Sequence, residues 1–425
     1  MNARRLLLRT GILAIVVVCA FLDVAGQHLP FSRKDAQGMA QDVADDVARH
    51  YYDRTLHGVD WDAKLRETRE KIQKATSSNV AFANIAAMLD SLGDSHTFFI
   101  PPRRSIQLDY GWRIQIIGER CLVTGVGPET DAATKVRPGD EVLAVNEYRP
   151  ARENLVRIEY MLNVLHPQNK IEATIRSVGG EERQIEIIPK TFGLPAFREG
   201  EHKRRQPHFV SLDDDVLVVK IPEFRFDEEE VNKLIDEARK HKWVILDLRG
   251  NPGGSEESLR LLVSKFFDHE VKIADAVSRN GTKPRIAKPD HHAFSGKLTV
   301  LVDSSSSSAA ELFARVVQLE KRGIVIGDHT AGMVMEAEHH RLAHEGISFG
   351  ASVTIANLIM SDGKSLEHVG VIPDELALPT VEDLANHRDP VLAHAAGIAG
   401  AKLSPEDAAQ LLPYQWPEPS PLPGQ

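Results

Sequence analysis

The sequence predicts an α/β chain of several domains: a helical region, then a β-rich unit, then a β/α domain with a mixed sheet covered by helices. Three observations carry that expectation. Over residues 34–92, apolar side chains recur at helical spacing: Val43, Val47, Tyr51 and Tyr52 share a face that Leu65, Ile72, Ile85, Met88 and Leu89 continue. Over 110–189 the pattern changes to short strand-like runs punctuated by turns such as Pro138-Gly-Asp140. From about 216 onward, runs apolar on both faces alternate with amphipathic stretches, as in strands buried between helix layers.

The first residues carry Arg4, Arg5 and Arg9, an apolar run over 11–22, and small residues at Ala25-Gly26. That is the order of a secretory signal, expected over 1–26. The run is shorter than the roughly 20 residues that span a bilayer. The expected location is therefore periplasmic or extracellular, with a membrane tether only if the signal stays uncleaved. The helical region covers 34–105 and ends at the turn Gly93-Asp-Ser-His-Thr97, before Phe98-Phe-Ile100. The β-rich unit covers 108–190, with strands expected over 112–117, 121–126, 141–145, 171–175 and 182–188, and a helix over 155–164. A charged linker over 193–207 leads to the largest domain, 208–395. Its expected strands are 216–221, 243–248, 298–302 and 324–326, and its helices 228–240, 256–267 and 309–321. The proline-bearing segment 412–425 has no apolar periodicity and is expected to be a disordered tail.

A length of 425 residues with 42% hydrophobic content fits two to four folded domains. The net charge of −10 and the lack of a basic block longer than Lys203-Arg-Arg205 argue against a nucleic-acid partner. Without the signal, Cys121 is the only cysteine, so no intrachain disulfide can form.

The chemistry is concentrated in a few strings. Val300-Leu-Val-Asp-Ser-Ser-Ser-Ser-Ser-Ala-Ala-Glu311 is a strand, a serine-rich turn and a helix start, with Ser308 at the helix N-terminus. There, free N–H groups and the helix dipole stabilise developing negative charge, which suits a nucleophile. Ser308-x-x-Glu311 is equally a capping box, a purely structural device. Trp243-Val-Ile-Leu-Asp-Leu-Arg-Gly-Asn-Pro-Gly-Gly254 is a strand ending in a glycine loop. Such a loop can bring its N–H groups close to a substrate, or can simply turn the chain.

The string Asp247-Leu-Arg-Gly-Asn-Pro-Gly-Gly254 resembles the signature of the C-terminal processing (tail-specific) serine peptidases, a family that includes the core of the tricorn protease. His57-Gly-Val-Asp-Trp-Asp62, Leu92-Gly-Asp-Ser-His-Thr97, Ser307-Ser-Ala-Ala-Glu311, Ile326-Gly-Asp-His-Thr-Ala-Gly332 and Ser361-Asp-Gly-Lys-Ser-Leu-Glu-His-Val-Gly-Val-Ile-Pro-Asp374 follow in the family's order. The resemblance spans roughly residues 40–395, and the unit over 108–190 resembles a PDZ domain. It implies that Ser308 is the nucleophile, with Ala309 and either Gly253 or Gly254 giving oxyanion N–H groups. Many members use a lysine base just after the Gly-x-x-Thr-x-Gly motif, but here that place is held by Met333, whose thioether cannot take a proton. Similarity to the tricorn-like branch instead implies a relay of Ser308, His96, Ser95 and Glu367. The PDZ likeness implies that a substrate tail is bound around Gly111, Trp112 and Arg113.

The expected function is a secreted serine endopeptidase acting on unfolded or C-terminally exposed polypeptides, with no cofactor. The alternative is an inactive relative that binds or scaffolds polypeptides, for which Met333 speaks. His329 competes with His96 as base. The cluster Glu336-x-Glu338-His339-His340-x-x-x-His344-Glu345 is read as a solvated polar hairpin, with no metal site. None of these features sets the oligomeric state.

Overall fold

The computed structural model describes residues 32–104, 106–193, 206–290, 292–412 and 416. The expected signal, much of the charged linker and most of the expected tail lie outside these residues. Among the described residues, no helix is long and apolar enough to cross a membrane.

Three helices open the fold: α1 (Arg33–His50), α2 (Trp61–Gln73) and α3 (Ser78–Asp90). Ser32, Asp60 and Ser77 cap them by accepting N–H bonds from Asp35, Ala63 and Val80. After the turn at 93–97 comes β1 (Phe98–Ile100). The apolar faces of these helices are not a core of their own. Met39, Val43 and Val47 of α1 pack with Phe99, Phe349, Ala351 and Val353, so the region is docked onto strands that arrive about 250 residues later.

The next unit holds β2 (Ile106–Asp109), β3 (Trp112–Ile117), β4 (Arg120–Val126), β5 (Glu141–Val145), α4 (Leu155–Tyr160), β6 (Ile171–Arg176), β7 (Glu182–Ile187) and β8 (Lys190–Gly193). Strands β3 to β7 form an antiparallel sheet in chain order, and β2 pairs with β8. This unit has its own core, with Ile116, Cys121, Val123, Ile158 and Ile175 buried in it. The strands and helix match the ranges the sequence suggested to within a residue or two at most ends.

The remaining elements are β9 (His208–Ser211), β10 (Val216–Lys220), α5 (Glu228–Ala238), β11 (Trp243–Asp247), α6 (Glu256–Phe266), β12 (Val271–Ser278), β13 (Gly281–Ala287), β14 (Lys297–Val302), α7 (Ala309–Leu319), β15 (Ile324–Gly327), β16 (Met335–His344), β17 (Ile347–Ile359), β18 (Glu375–Leu376), α8 (Val381–Ala385), α9 (Pro390–Ile398) and α10 (Pro405–Leu411). One sheet runs β18-β15-β14-β11-β10-β9, parallel throughout except for β9 at its edge. Its strands are buried on both faces. Leu217, Val219, Val244 and Leu246 pack with α5, α6 and α7, while Val216, Val218 and Ile245 pack with α9 and α10.

A second sheet, β1-β17-β12-β13 with β16 also paired to β17, joins the helical region to the largest domain. The hairpin β12–β13 was not among the expected elements. Most of β13 is solvent-exposed and it carries Pro284, so neither alternation nor an apolar run marks it.

Candidate active site

The serine run after β14 is held by its neighbours on both sides. Ser306, fully buried, donates to Leu248 O at 2.8 Å, and Ser307 N–H donates to Asn251 O at 2.9 Å. Asp303 Oδ1 accepts from Gly250 N–H at 2.8 Å. The serine turn and the glycine loop are therefore one hydrogen-bonded unit at the C-terminal ends of adjacent parallel strands.

Ser308 has φ 55° and ψ −117°, a region that side-chain-bearing residues seldom occupy. Its N–H is held by Met333 O at 2.9 Å and Glu311 Oε2 at 3.0 Å. The capping-box geometry expected from Glu311 is thus present, but the carboxylate does more than cap. It also accepts from Thr330 Oγ1 at 2.5 Å, Gly332 N–H at 2.8 Å and Met333 N–H at 2.9 Å. Burial pushes the Glu311 carboxyl up to about 7, against the pull of these donors. Sequence reasoning gave Glu311 only a capping role, although the glycine-bearing segment that folds around it was in view as a motif.

The turn at 93–97 is fixed by Asp94. Its Oδ1 accepts the N–H groups of His96 (2.9 Å) and Thr97 (2.7 Å) and the Thr354 hydroxyl (2.6 Å), and Tyr51 OH donates to Oδ2 at 2.8 Å. This anchor was not singled out from the sequence, where Asp94 is only a turn residue. It aims His96 so that Nε2 lies 3.3 Å from Ser308 Oγ. On the other side of the ring, Nδ1 is 2.7 Å from Ser95 Oγ. Ser95 Oγ in turn is 2.9 Å from Glu367 Oε2, and Ser95 N–H donates to Oε1 at 2.7 Å. Val334 N–H completes the set around Glu367 at 2.8 Å.

The chain of contacts fixes the tautomer. With Glu367 ionised, the single Ser95 hydroxyl proton goes to the carboxylate, so Ser95 Oγ accepts from Nδ1–H. The lone pair of His96 then lies on Nε2, facing Ser308. Burial takes the imidazole down to about 4; His339 adds to this and Asp94 opposes it. Burial also raises the Glu367 carboxyl above its usual value, with Val334 and Ser95 donating against that rise. All four residues named for the relay are therefore in one hydrogen-bonded line. His329 takes no part in it: its carbonyl accepts from Arg152 Nη1 at 2.8 Å, and its ring Nε2 is buried without a partner.

The glycine loop lies against Ser308. A Cβ on Gly253 would stand 2.6 Å from Ser308 Cβ and 2.9 Å from Ala309 N, so only glycine fits, at φ 91°. Gly253 N–H is already given to Asn251 Oδ1 at 2.7 Å. Gly254 pairs with Phe224 through its neighbours' groups, Gly253 O and Ser255 N–H, and among the described residues its own N–H has no acceptor. Ala309 N–H, first in its helix, has no intrahelical acceptor.

Around Gly111 several groups are engaged within the unit itself. Gly111 N–H donates to Asp109 Oδ1 at 2.8 Å, and Trp112 packs partly buried against the unit's own core. Arg113, exposed on β3, pairs with Gly125. Trp416 covers this part of the sheet: a Cβ on Gly125 would be 3.3 Å from its ring, and one on Gly127 2.9 Å. At Trp416 the expectation of a disordered tail gives way to a packed contact. The unit also touches the site directly. Ser304 Oγ donates to Ile116 O, Gly118 N–H donates to Asp328 Oδ2 at 2.9 Å, and Arg152 pairs with Asp328 at 3.2 Å.

Residues 215–377 match the model of peptidase family S41. Over these residues the chain is similar to the serine peptidases of this family. The chain is 21% identical over 352 residues to carboxyl-terminal-processing peptidase 3, chloroplastic, of Arabidopsis thaliana, covering 77% of the chain and 66% of the relative. It is 26% identical over 380 residues to putative tricorn protease homolog 2 of Streptomyces coelicolor, covering 83% of the chain and 31% of the relative. The chain thus spans from 31% to 66% of the length of these relatives. Among solved structures, mature CPAF superposes with a TM-score of 0.65 at 15% identity, over 83% of this chain and 94% of that one, which is a likeness of fold.

Proposed function

We propose that this chain is an exported serine endopeptidase of the S41 kind that cleaves polypeptides at unfolded or C-terminally exposed segments. The reading rests above all on the unbroken line Glu367–Ser95–His96–Ser308, drawn together from three distant parts of the chain. Export is supported by the charge and hydropathy order of residues 1–26. The names of the carboxyl-terminal-processing relatives support the substrate class.

In the proposed reaction, Ser308 Oγ attacks the scissile carbonyl carbon and its proton passes to His96 Nε2. Ser95 and Glu367 steady the imidazolium through Nδ1–H. The tetrahedral oxyanion is held by the N–H groups of Ala309 and Gly254, Gly253 N–H being committed to Asn251. The C–N bond then breaks and the amine departs with the proton from Nε2. Water repeats the sequence on the acyl-enzyme, restoring the Ser308 hydroxyl and releasing the new carboxyl end. Met333 gives its backbone rather than its side chain: its O accepts from Ser308 and its N–H donates to Glu311.

The test is labelling of the mature protein by a fluorophosphonate probe, beside Ser308→Ala and His96→Ala. Labelling of the wild type that vanishes in both variants is the expected result. Labelling that survives in His96→Ala discards this base. A folded wild type that never labels and leaves unstructured proteins intact makes the inactive, polypeptide-binding relative the better reading.

A further inference from the structure

Away from the relay, helix α1 lays one stripe of side chains against β16. Gly38, Asp42, Asp46 and His50 follow at intervals of four, so they share a helix face. On the strand, His340 and His344 share the face that meets them. The His344 ring lies over Gly38, where a Cβ would come within 1.9 Å of it, and its Nδ1 is 2.9 Å from Asp42 Oδ2. One turn along α1 the contact is denser. His340 Nδ1 is 2.6 Å from Asp46 Oδ2, and His50 Nδ1 is 3.0 Å from Asp46 Oδ1. The two imidazoles stand edge to face, their centres 4.5 Å apart, and Glu338 Oε2 is 3.3 Å from His340 Nε2.

Asp46 is only 3% exposed. Among the described residues, its side chain meets no lysine or arginine, only the two histidines. A buried carboxylate normally demands a full positive charge. Here it has two imidazoles, which are strong metal ligands when neutral.

We propose that Asp46, His50 and His340 form a binding site for a zinc-like divalent cation that fastens α1 to β16. One ligand atom from each residue lies within 4.8 Å of the others. Zinc holds imidazole nitrogen and carboxylate oxygen at about 2.0–2.2 Å from itself, so side-chain rotation must open the contacts of Asp46 with the two rings as the ion enters between them. His50 is exposed and gives the ion a way in, with water to complete the coordination and Glu338 on the far ring nitrogen of His340 to orient that ring. Two imidazoles and a carboxylate favour zinc or its late-transition-metal neighbours over calcium or magnesium. No short motif announces this site, because His50 and His340 are 290 positions apart and the third ligand comes from inside a helix. The site is independent of the proposed peptidase function. It would strengthen the docking of the region that carries Ser95 and His96.

The experiment uses the mature chain without a polyhistidine tag, stripped of metal by chelator. Zinc binding is measured by equilibrium dialysis, and cobalt(II) binding by its visible absorption. The expected result is one ion per chain, a rise in thermal midpoint with zinc, and loss of both in His50→Ala and in His340→Ala. His344→Ala, outside the ligand set, is expected to bind as the wild type does. His50 is exposed and its replacement leaves the core intact, so misfolding does not mask the outcome. No ion bound by the wild type, or binding that survives in both His50→Ala and His340→Ala, overturns the proposal.

Discussion

Two histidines near the same hairpin live in opposite surroundings. His96 is half-buried, and its Nδ1 meets a hydroxyl that stands between it and a carboxylate. His340 lies at the α1–β16 seam, and its Nδ1 meets a carboxylate directly, with a second carboxylate at Nε2. Neighbouring residues of β16 divide the two environments. His339 lies 6.0 Å from Phe98 and bears on His96, while His340 turns to Asp46. The comparison shows that residue type does not decide the chemistry. A relayed, desolvated imidazole keeps a free lone pair for a proton, whereas one flanked by carboxylates at an open seam is arranged for a cation.

The strongest way to break this contrast is at His96. His96→Ala is expected to lower kcat/KM by at least about 10³-fold, while zinc binding at the seam stays unchanged. The pH profile sharpens the point. The charged and titratable groups facing His96 are Asp94, His339 and, through Ser95, Glu367. The base must be neutral to act, and burial takes it down to about 4, so activity rises as pH climbs through that value and is nearly flat from about 5.5 upward. An acid limb centred near the ordinary histidine value would show that the imidazole is not desolvated in the working enzyme.

Glu311 tests whether the site is held by charge or by shape. In Glu311→Gln an amide group replaces one acceptor oxygen, so either Gly332 N–H or the N–H groups of Ser308 and Met333 face a donor. The expected cost is about 2 kcal/mol of stability, read by urea unfolding. Turnover is expected to fall about 10- to 100-fold with little change in KM, because the positive-φ backbone of Ser308 loses its clamp. Unaltered kcat would make Glu311 a cap and no more.

The parallel sheet was legible in the sequence because its strands are apolar on both faces, as in Val244-Ile-Leu246, and few other structures need that pattern. The relay was not legible from spacing. Ser95 and Glu367 are 272 positions apart, and only likeness to a family brought them together on paper. Local chemistry in the motifs did foretell that Ser308 would head a helix; only the family likeness brought the glycine loop to it. It could not foretell that Asp94 anchors the His96 turn, since that depends on Tyr51 and Thr354 arriving from elsewhere. Nor could it foretell that the side chain of Asn251 takes the N–H of Gly253. The α1–β16 seam was hidden for a similar reason. The polar residues of β16 look like a solvated hairpin until the acidic stripe of a distant helix is laid against them.

The smallest expected effect comes from His344, the other histidine of the seam. Its ion pair with Asp42 is partly open to solvent, with side-chain exposures of 25% and 36%, and such pairs contribute about 0–1 kcal/mol. His344→Ala also uncovers Gly38, but the docking of α1 rests on Met39, Ala40, Val43 and Val47, all buried against the hairpin and its neighbours. Stability is therefore expected to fall by less than about 1 kcal/mol, and turnover to stay within about twofold. A loss of 2 kcal/mol or more would mean that polar pairs, and not the apolar face, hold α1 in place. The seam would then be a structural clasp along its whole length, and the separation drawn here between its two histidine contacts would fail.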